Sequence, residues 1–267
     1  MKINIKLFLS FVSIILISSC SDYRKILKTP GFEKKLEAAL KYYEEEEYYK
    51  SSTLFQDIKP LIKGSEKSEI VDFYFAYSLY NLKQYELSAK YFKGFIELFS
   101  RSDKVIEAEY LYAFSLYKES PNSNLDQSNT IEAINAIQSF INKYPYSEFS
   151  KGANELIDEL QIKLETKNFE NAKQYYKTRT YKSAIIALNN FENDFPDSSY
   201  NDECNYLKIV CQYLIAKNSF DDLKKERYKK VTEYYLKFVD KYPNSSFITE
   251  AEKMYVESLN LLTKFAE

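Results

Sequence analysis

The stretch Phe73-Tyr74-Phe75-Ala76-Tyr77-Ser78-Leu79-Tyr80 decides the fold of this chain, because the chain contains a second, similar copy of it. It recurs 37 residues later as Tyr110-Leu111-Tyr112-Ala113-Phe114-Ser115-Leu116-Tyr117, with four identities and three exchanges between aromatic residues. Self-similarity at a period of roughly 20–50 residues is typical of repeat proteins. Apolar residues follow helical spacing, and no Asn-Gly or Asp-Gly hairpin turn occurs in the sequence. The sequence therefore predicts an all-α repeat protein.

A second pattern places a small residue three positions after an aromatic residue, and a bulky residue four positions after the small one. On a helix the last two share one face, so a neighbouring helix can approach the small residue closely. An alanine nine residues before the aromatic, at Ala39, Ala76 and Ala172, supplies the matching contact on the preceding helix. The pattern occurs at Tyr48/Ser51/Phe55, Tyr85/Ser88/Phe92 and Tyr181/Ala184/Leu188, and more weakly at Thr130/Ala133/Ile137 and Tyr228/Val231/Tyr235. These features resemble tetratricopeptide (TPR) repeats, and the predicted fold is a TPR-type α-solenoid of about five helix-turn-helix repeats plus a C-terminal helix.

Proline motifs divide the repeats. Tyr144-Pro145-Tyr146-Ser147, Phe195-Pro196-Asp197-Ser198 and Tyr242-Pro243-Asn244-Ser245 each end a predicted helix, since the residue before proline avoids the helical region, and the serine can cap the next helix. We expect repeats 1–3 over residues 33–143, and repeats 4–5 with a capping helix over residues 144–267. A long helix is predicted over residues 148–179.

The N-terminal residues predict export. Lys2 and Lys6 precede an apolar run from Leu7 to Ile17, which suits a signal peptide over residues 1–19. The following Ile17-Ser18-Ser19-Cys20 resembles the bacterial lipobox, in which the cysteine is lipidated and becomes the mature N-terminus. An ordinary signal peptide with a chance cysteine is the alternative. Acyl chains on Cys20 would hold the protein on a membrane through a lipidated tether over residues 20–32.

The residue after Cys20 bears on which membrane is reached. Ser21 stands where an aspartate commonly signals retention in the inner membrane. By this resemblance we expect a lipid anchor in the outer membrane, on its periplasmic face.

Composition argues against several classes of function. The chain has no His, so the commonest acid-base pairs and imidazole metal ligands are missing, and four scattered Gly do not form a phosphate-binding loop. A net charge of −2 gives no electrostatic reason to bind nucleic acid. We expect no cofactor, no metal site, no catalytic residue and no enzymatic activity.

Two smaller features each leave two interpretations open. Cys204 and Cys211 lie seven apart on one predicted helix and cannot bridge within it; they are either buried small apolar residues or partners of an intermolecular disulfide or metal. Glu44–Glu47 is either a solvated turn or a docking patch for a basic partner.

The first helices of TPR repeats line a concave surface, and aromatic residues fall on those helices here. Tyrosine and phenylalanine offer large apolar areas, and the tyrosine hydroxyl can bond a peptide backbone. The predicted peptide-binding groove comprises Tyr43, Phe73, Tyr77, Tyr80, Tyr110, Phe114 and Tyr117. The alternative for each is a place in the core between helices.

Several motifs resemble the BamD family of β-barrel assembly lipoproteins. The most specific are Ser120–Gln127 followed by Thr130, then Ala133-Ile134, and Phe140-Ile141-Asn142-Lys143-Tyr144-Pro145-Tyr146-Ser147; Glu155–Leu160 and Ala172–Tyr176 support them. The resemblance covers essentially Cys20 to Tyr242. Two departures are Gln161, where an Arg often follows the Glu-Leu, and a longer C-terminal helix from Phe247 to Phe265.

The resemblance implies a non-enzymatic role. The N-terminal repeats would receive unfolded outer-membrane proteins through a C-terminal aromatic signal, and the C-terminal repeats would dock on the periplasmic domains of a BamA-like β-barrel insertase. A TPR pilotin or scaffold lipoprotein for a secretin or cell-wall complex is the alternative, and a glycan-binding or hydrolytic lipoprotein is a third possibility.

Overall fold

A computed structural model of the chain describes residues 22–264. The predicted signal peptide and the predicted lipid attachment site, Cys20, lie outside these residues. Within them every regular element is a helix: α1 (Glu33–Glu44), α2 (Tyr48–Ile58), α3 (Lys67–Asn81), α4 (Tyr85–Leu98), α5 (Val105–Glu119), α6 (Ser128–Lys143), α7 (Ala153–Lys177), α8 (Tyr181–Asp194), α9 (Asn201–Lys217), α10 (Asp221–Lys241) and α11 (Ile248–Lys264). Short 3₁₀ turns occupy Lys59–Leu61 and Glu148–Ser150, and residues 22–27 are also helical.

The helices form antiparallel pairs that stack on their neighbours in the chain, so the predicted all-α, TPR-type α-solenoid is confirmed. The chain divides into two compact units. Unit 1 contains the described residues up to Pro121 together with Asp126–Leu160; unit 2 contains Asn122–Leu125 and the described residues from Gln161 onward. This division falls inside α7 and is a different one from the repeat boundary predicted at residues 143/144, which stays a prediction.

The predicted small residues bring paired helices together in unit 1. Ser51 on α2 donates a hydrogen bond to the Ala39 carbonyl on α1 over 2.9 Å, and Ser88 on α4 donates to the Ala76 carbonyl on α3 over 3.1 Å. All four residues are fully buried. A side chain larger than serine would push the helix backbones apart, so these positions fix the spacing within each pair.

The repeated octapeptide links one helix pair to the next. Ser78, in its first copy, donates to Ser51 Oγ over 3.3 Å, and Ser115, in its second copy, donates to Ser88 Oγ over the same distance. Both links join residues 27 apart in the chain. The second and third repeats therefore each bond to the previous repeat through an equivalent pair of buried hydroxyls.

Three turns inside helix pairs share one backbone conformation. Glu46, Lys83 and Arg179 have φ angles of 60°, 59° and 61°, in the left-handed region. Each lies two residues before the tyrosine that begins the second helix of its pair. The left-handed residue reverses the chain within a short connection, which lets the two helices pack antiparallel.

The long helix α7 begins later than the sequence predicts. It runs without interruption from Ala153 to Lys177, whereas a start at residue 148 was expected. Residues 148–150 form a 3₁₀ turn, and Gly152 has a φ of 76°, which an α-helix does not accommodate. The helix passes through Lys167-Asn168 as a continuous α-helix.

Unit 2 is built around two apolar clusters on α7–α9 and α9–α11. Cys204 and Cys211 on α9 are fully buried and unbridged, and the Cys204 thiol donates to the Leu188 carbonyl over 3.2 Å. Burial raises the pKa of each thiol to about 12. Of the two interpretations of these cysteines, the buried apolar one is confirmed.

The predicted tether packs against unit 1 soon after Cys20. Tyr23, Ile26 and Leu27 lie against the first apolar cluster, and the Tyr23 ring makes an edge contact with Tyr42 at 5.8 Å between centroids. The chain is thus held on α1 within a few residues of the predicted lipid attachment site.

Candidate functional site

Six of the seven predicted groove residues form one continuous line of rings on the first helices of unit 1. We call them the aromatic stripe: Tyr43, Tyr77, Tyr80, Tyr110, Phe114 and Tyr117. All six are partly exposed. Ring centroids are 5.7 Å apart for Tyr43–Tyr77, 6.0 Å for Tyr77–Tyr80, 6.3 Å for Tyr80–Phe114, 5.5 Å for Tyr110–Phe114 and 5.3 Å for Phe114–Tyr117. These distances suit offset or edge-to-face ring packing.

The seventh predicted groove residue, Phe73, belongs to the core, which corrects the prediction. Its side chain is 1% exposed, and its ring lies 5.9 Å from that of Phe92 and 5.4 Å from that of Phe95 on α4. The Lys104 ammonium covers it at 4.8 Å from the centroid. Because α4 and the start of α5 close over it, Phe73 supports the stripe from beneath, through a contact with Tyr77 at 5.8 Å.

Four more aromatic residues extend the stripe. Tyr48 and Tyr74 lie 5.6 and 4.7 Å from Tyr43, and Tyr85 lies 5.6 Å from Tyr80. Phe149, in the 3₁₀ turn before α7, stacks on Tyr110 at 4.9 Å. Tyr48 and Tyr85 begin copies of the aromatic-small-bulky pattern, so the sequence contained a signal for them. Phe149 belongs to no repeated position and carried no such signal.

The tyrosines of the stripe are neutral hydrogen-bond donors at ordinary pH. Burial raises the pKa of Tyr43 and that of Tyr110, and it raises the pKa of Tyr80 to about 12. Burial, then the nearby Glu107 carboxylate, raises the pKa of Tyr77. At Tyr117 the main cause of the raised pKa is a hydrogen bond that its hydroxyl donates to Glu159 Oε2 over 2.5 Å.

Charged groups of both signs lie along the stripe. Glu107 lies near Tyr77, while at the far end the Lys118 ammonium sits 4.9 Å from the centroid of Phe114 and 5.3 Å from that of Tyr117. Lys118 is exposed. The stripe therefore ends at a cation in contact with two of its rings, beside the Glu159 carboxylate that is bonded to Tyr117.

Glu44–Glu47 lies at the other end of unit 1, at the turn between α1 and α2. All four side chains are exposed. Glu45 pairs with Lys41 at 3.8 Å and Glu47 with Lys50 at 3.2 Å. These local pairs favour the interpretation as a solvated turn.

Between residues 22 and 264 no group of three or more Cys, Asp and Glu side chains is placed to hold a metal ion. No helix in the same range combines the length and apolar character needed to cross a bilayer.

The sequence pattern of the outer membrane lipoprotein family YfiO matches residues 33–181 and 163–265, which together cover most of the chain. The chain belongs to the YfiO family of outer membrane lipoproteins. Membership in the YfiO family supports the resemblance to BamD-like lipoproteins drawn from the third-repeat motifs. The matched residues include all of α1–α11 and hence the whole aromatic stripe.

Comparison with other proteins gave two further results for this YfiO-family chain. No curated protein sequence matches it. Among solved structures, the TPR2AB domain of yeast Sti1 in complex with pHSP90 aligns with a TM-score of 0.39 and 12% identity, over 85% of this chain and 97% of that one. That likeness is too weak to carry an argument about function.

Proposed function

We propose that this protein is a periplasm-facing, lipid-anchored receptor of the β-barrel assembly machinery. The aromatic stripe of unit 1 binds the aromatic C-terminal segment of unfolded outer-membrane proteins, and the C-terminal repeats dock on the periplasmic domains of a BamA-like insertase. The protein binds other polypeptide chains and catalyses no reaction.

The aromatic stripe is the observation that carries the proposal. Aromatic rings that remain partly exposed after folding offer apolar area to the side chains of a bound segment. The hydroxyl groups of Tyr43, Tyr80 and Tyr110, which are not bonded to Glu107 or Glu159, add donors for its backbone carbonyl groups. An extended chain with alternating aromatic residues would lay one face on these rings.

Lys118 gives the stripe a direction. Its ammonium lies against Phe114 and Tyr117 and forms no ion pair within residues 22–264. A terminal carboxylate at this end of the stripe would gain a charge-assisted hydrogen bond. We therefore expect the last residue of the bound segment to lie near Phe114 and Tyr117.

The binding test uses a synthetic peptide from the last strand of an outer-membrane β-barrel, ending in phenylalanine, and measures its affinity by fluorescence anisotropy. Tyr77→Ala combined with Phe114→Ala should weaken binding about tenfold or more, because each truncation removes aromatic contact area. Amidating the peptide's C-terminus should weaken binding to the wild type and have little effect on a Lys118→Gln variant.

The matched control is Tyr49→Ala combined with Tyr175→Ala, since both side chains are exposed aromatics outside the stripe. Circular dichroism of each variant checks that the helices remain. Equal affinity of the wild type and the stripe variant for the peptide would refute the proposal.

The partner test is purification of the protein from detergent-solubilised outer membranes. Recovery of the β-barrel insertase is the expected result. Recovery of a secretin without the insertase would instead support the pilotin function.

A further inference from the structure

A groove in unit 2 gathers three positive charges. It lies between the turn and start of α8, the end of α9 and the first third of α10, and has a volume of about 500 Å³. Arg179, Lys182 and Arg227 line it, together with the polar side chains of Thr180, Ser183 and Asn218. Among the residues that the structure describes, no acidic residue lines this groove.

Two of these cations have no counterion in the described part of the chain: Arg179 and Lys182 are exposed and form no ion pair within residues 22–264. Arg227 is partly buried, its Nη1 donates to Ser219 Oγ, and its charge interacts with the neighbouring Glu226 carboxylate. Because three cations line the groove and none of the described acidic residues does, the groove is a region of positive potential.

Two acidic side chains of α10 are paired with lysines. Asp221 accepts from Lys224 at 2.8 Å, and Glu226 lies 3.0 Å from Lys230. Elsewhere in unit 2, Lys173 pairs with Glu203 at 2.5 Å, and Lys208 pairs with Glu192 at 2.6 Å. Arg179 and Lys182 take part in none of these ion pairs.

We infer that this basic groove binds an acidic segment of a partner polypeptide. Carboxylates would accept hydrogen bonds from the two guanidinium groups and the Lys182 ammonium, which are the stronger kind of protein hydrogen bond. The hydroxyl and amide groups of Thr180, Ser183 and Asn218 can bond the backbone of the same segment. The groove lies on the C-terminal repeats, so the inference rests on the part of the proposed function that assigns partner docking to them, and it does not depend on the aromatic stripe.

The floor of the groove favours a polypeptide over a free phosphate or a lipid headgroup. Leu214 and Ile215 of α9 line it. The methylene groups of glutamate side chains would cover these apolar residues, whereas a compact phosphate has no apolar surface to place on them. A volume of about 500 Å³ also falls within the range of roughly 300–1,000 Å³ that is typical of ligand sites.

The test measures binding of fluorescein-labelled hexaglutamate to the full chain by anisotropy at low ionic strength. Arg179→Gln combined with Lys182→Gln should weaken binding about tenfold, since both changes remove exposed charges while glutamine leaves a polar side chain that can still donate hydrogen bonds. The matched control, Lys83→Gln combined with Arg101→Gln, removes the same charge from exposed positions of unit 1 and should change affinity less than about twofold. Tyr77→Ala combined with Phe114→Ala should bind hexaglutamate like the wild type, which separates this site from the aromatic stripe.

Three outcomes would overturn the inference. One is an equal loss of affinity in the groove variant and the unit 1 control, which would indicate binding to net charge alone. Another is the absence of hexaglutamate binding by the wild type. The third is displacement of hexaglutamate by inorganic phosphate or by phosphatidylglycerol vesicles at lower concentrations than by unlabelled hexaglutamate. Charge reversal, Arg179→Glu with Lys182→Glu, should abolish binding while circular dichroism remains unchanged.

Discussion

Phe73 and Tyr77 occupy successive turns of one face of α3, yet they have different environments. Phe73 is 1% exposed beneath α4 and the start of α5, and Tyr77 is partly exposed above it. Their rings touch at 5.8 Å. Substitutions at the two residues should therefore have different effects. Phe73 fills the core and contributes to stability, whereas Tyr77 is exposed to solvent and accessible to a bound peptide.

Phe73→Ala should lower the free energy of unfolding by about 3–5 kcal/mol, because it leaves a cavity among buried rings. Tyr77→Phe keeps the ring and should change stability by less than about 1 kcal/mol. Urea titration followed by circular dichroism measures both. If Phe73→Ala left the free energy of unfolding unchanged but weakened peptide binding, Phe73 would belong to the peptide-binding groove rather than to the core.

Glu192 on α8 is the most strongly perturbed carboxyl group of unit 2. It accepts hydrogen bonds from Lys208 over 2.6 Å, Lys241 over 2.9 Å and Asn205 over 3.0 Å. Burial alone would raise the pKa of Glu192, but these three donors outweigh it and lower the pKa to about 2. Because the folded state favours the charged form, this carboxylate stabilises the fold above its unfolded pKa near 4.5, and the contribution is lost as pH falls toward 2.

Glu192→Gln should lower the free energy of unfolding at pH 7 by about 2 kcal/mol, since Lys208 is then buried without a counterion. The difference from the wild type should shrink as pH falls from about 4.5 toward 2. Urea titrations across that range measure it. The control is Glu170→Gln, which breaks the exposed pair with Lys177 and should cost less than about 1 kcal/mol. If the stability difference between the wild type and Glu192→Gln stayed constant across this pH range, the lowered pKa of Glu192 would be contradicted.

At the scale of the element, the turns inside helix pairs contain a backbone conformation that costs free energy. A non-glycine residue in the left-handed region costs about 1–2 kcal/mol. Lys83 has a φ of 59° between α3 and α4, and its side chain is exposed. The repeat architecture imposes this conformation, since Glu46 and Arg179 adopt it at the corresponding turns.

Lys83→Gly should therefore raise the free energy of unfolding by about 0.5 kcal/mol. Glycine relieves the left-handed strain, but part of this gain is offset because glycine loses more conformational entropy on folding than lysine does. Lys90→Gly makes the same substitution at an exposed position inside α4 and should lower the free energy of unfolding by about 1 kcal/mol. Thermal and urea unfolding compare the two. Destabilisation of equal size at both positions would show that the left-handed turn carries no strain.

The element α7 shows where helix prediction succeeds and where it fails. Helical spacing of apolar residues from Leu156 to Ala172 predicts one long helix, and α7 is continuous there. Its start was placed five residues too early, since the stretch after Pro145 has the composition of a helix. Gly152, at a φ of 76°, ends the preceding turn and lets α7 begin at Ala153.

At the scale of the whole molecule, the proposed function places membrane attachment at Cys20. Multiple acyl chains contribute about 0.8 kcal/mol for each buried methylene, so they would anchor the protein firmly. Cys20→Ser should move the protein from the outer-membrane fraction to the soluble periplasmic fraction, with an unchanged circular dichroism spectrum. Cell fractionation with mass spectrometry of the N-terminal peptide measures this. Outer-membrane retention of the serine variant would show that the lipid is dispensable.

Residue spacing alone determined the helical hairpins, the buried serines that join them and the line on which the aromatic stripe lies. Those features depend on residues three, four or some 37 positions apart, and these spacings can be read directly from a repeated sequence. The tertiary structure alone decided that Phe73 is covered while Tyr77 is not, that Phe149 completes the stripe, and that three cations converge in unit 2. Each of these depends on which distant helix packs over a side chain, and exposure is a property of that packing rather than of the residue or its position in a repeat.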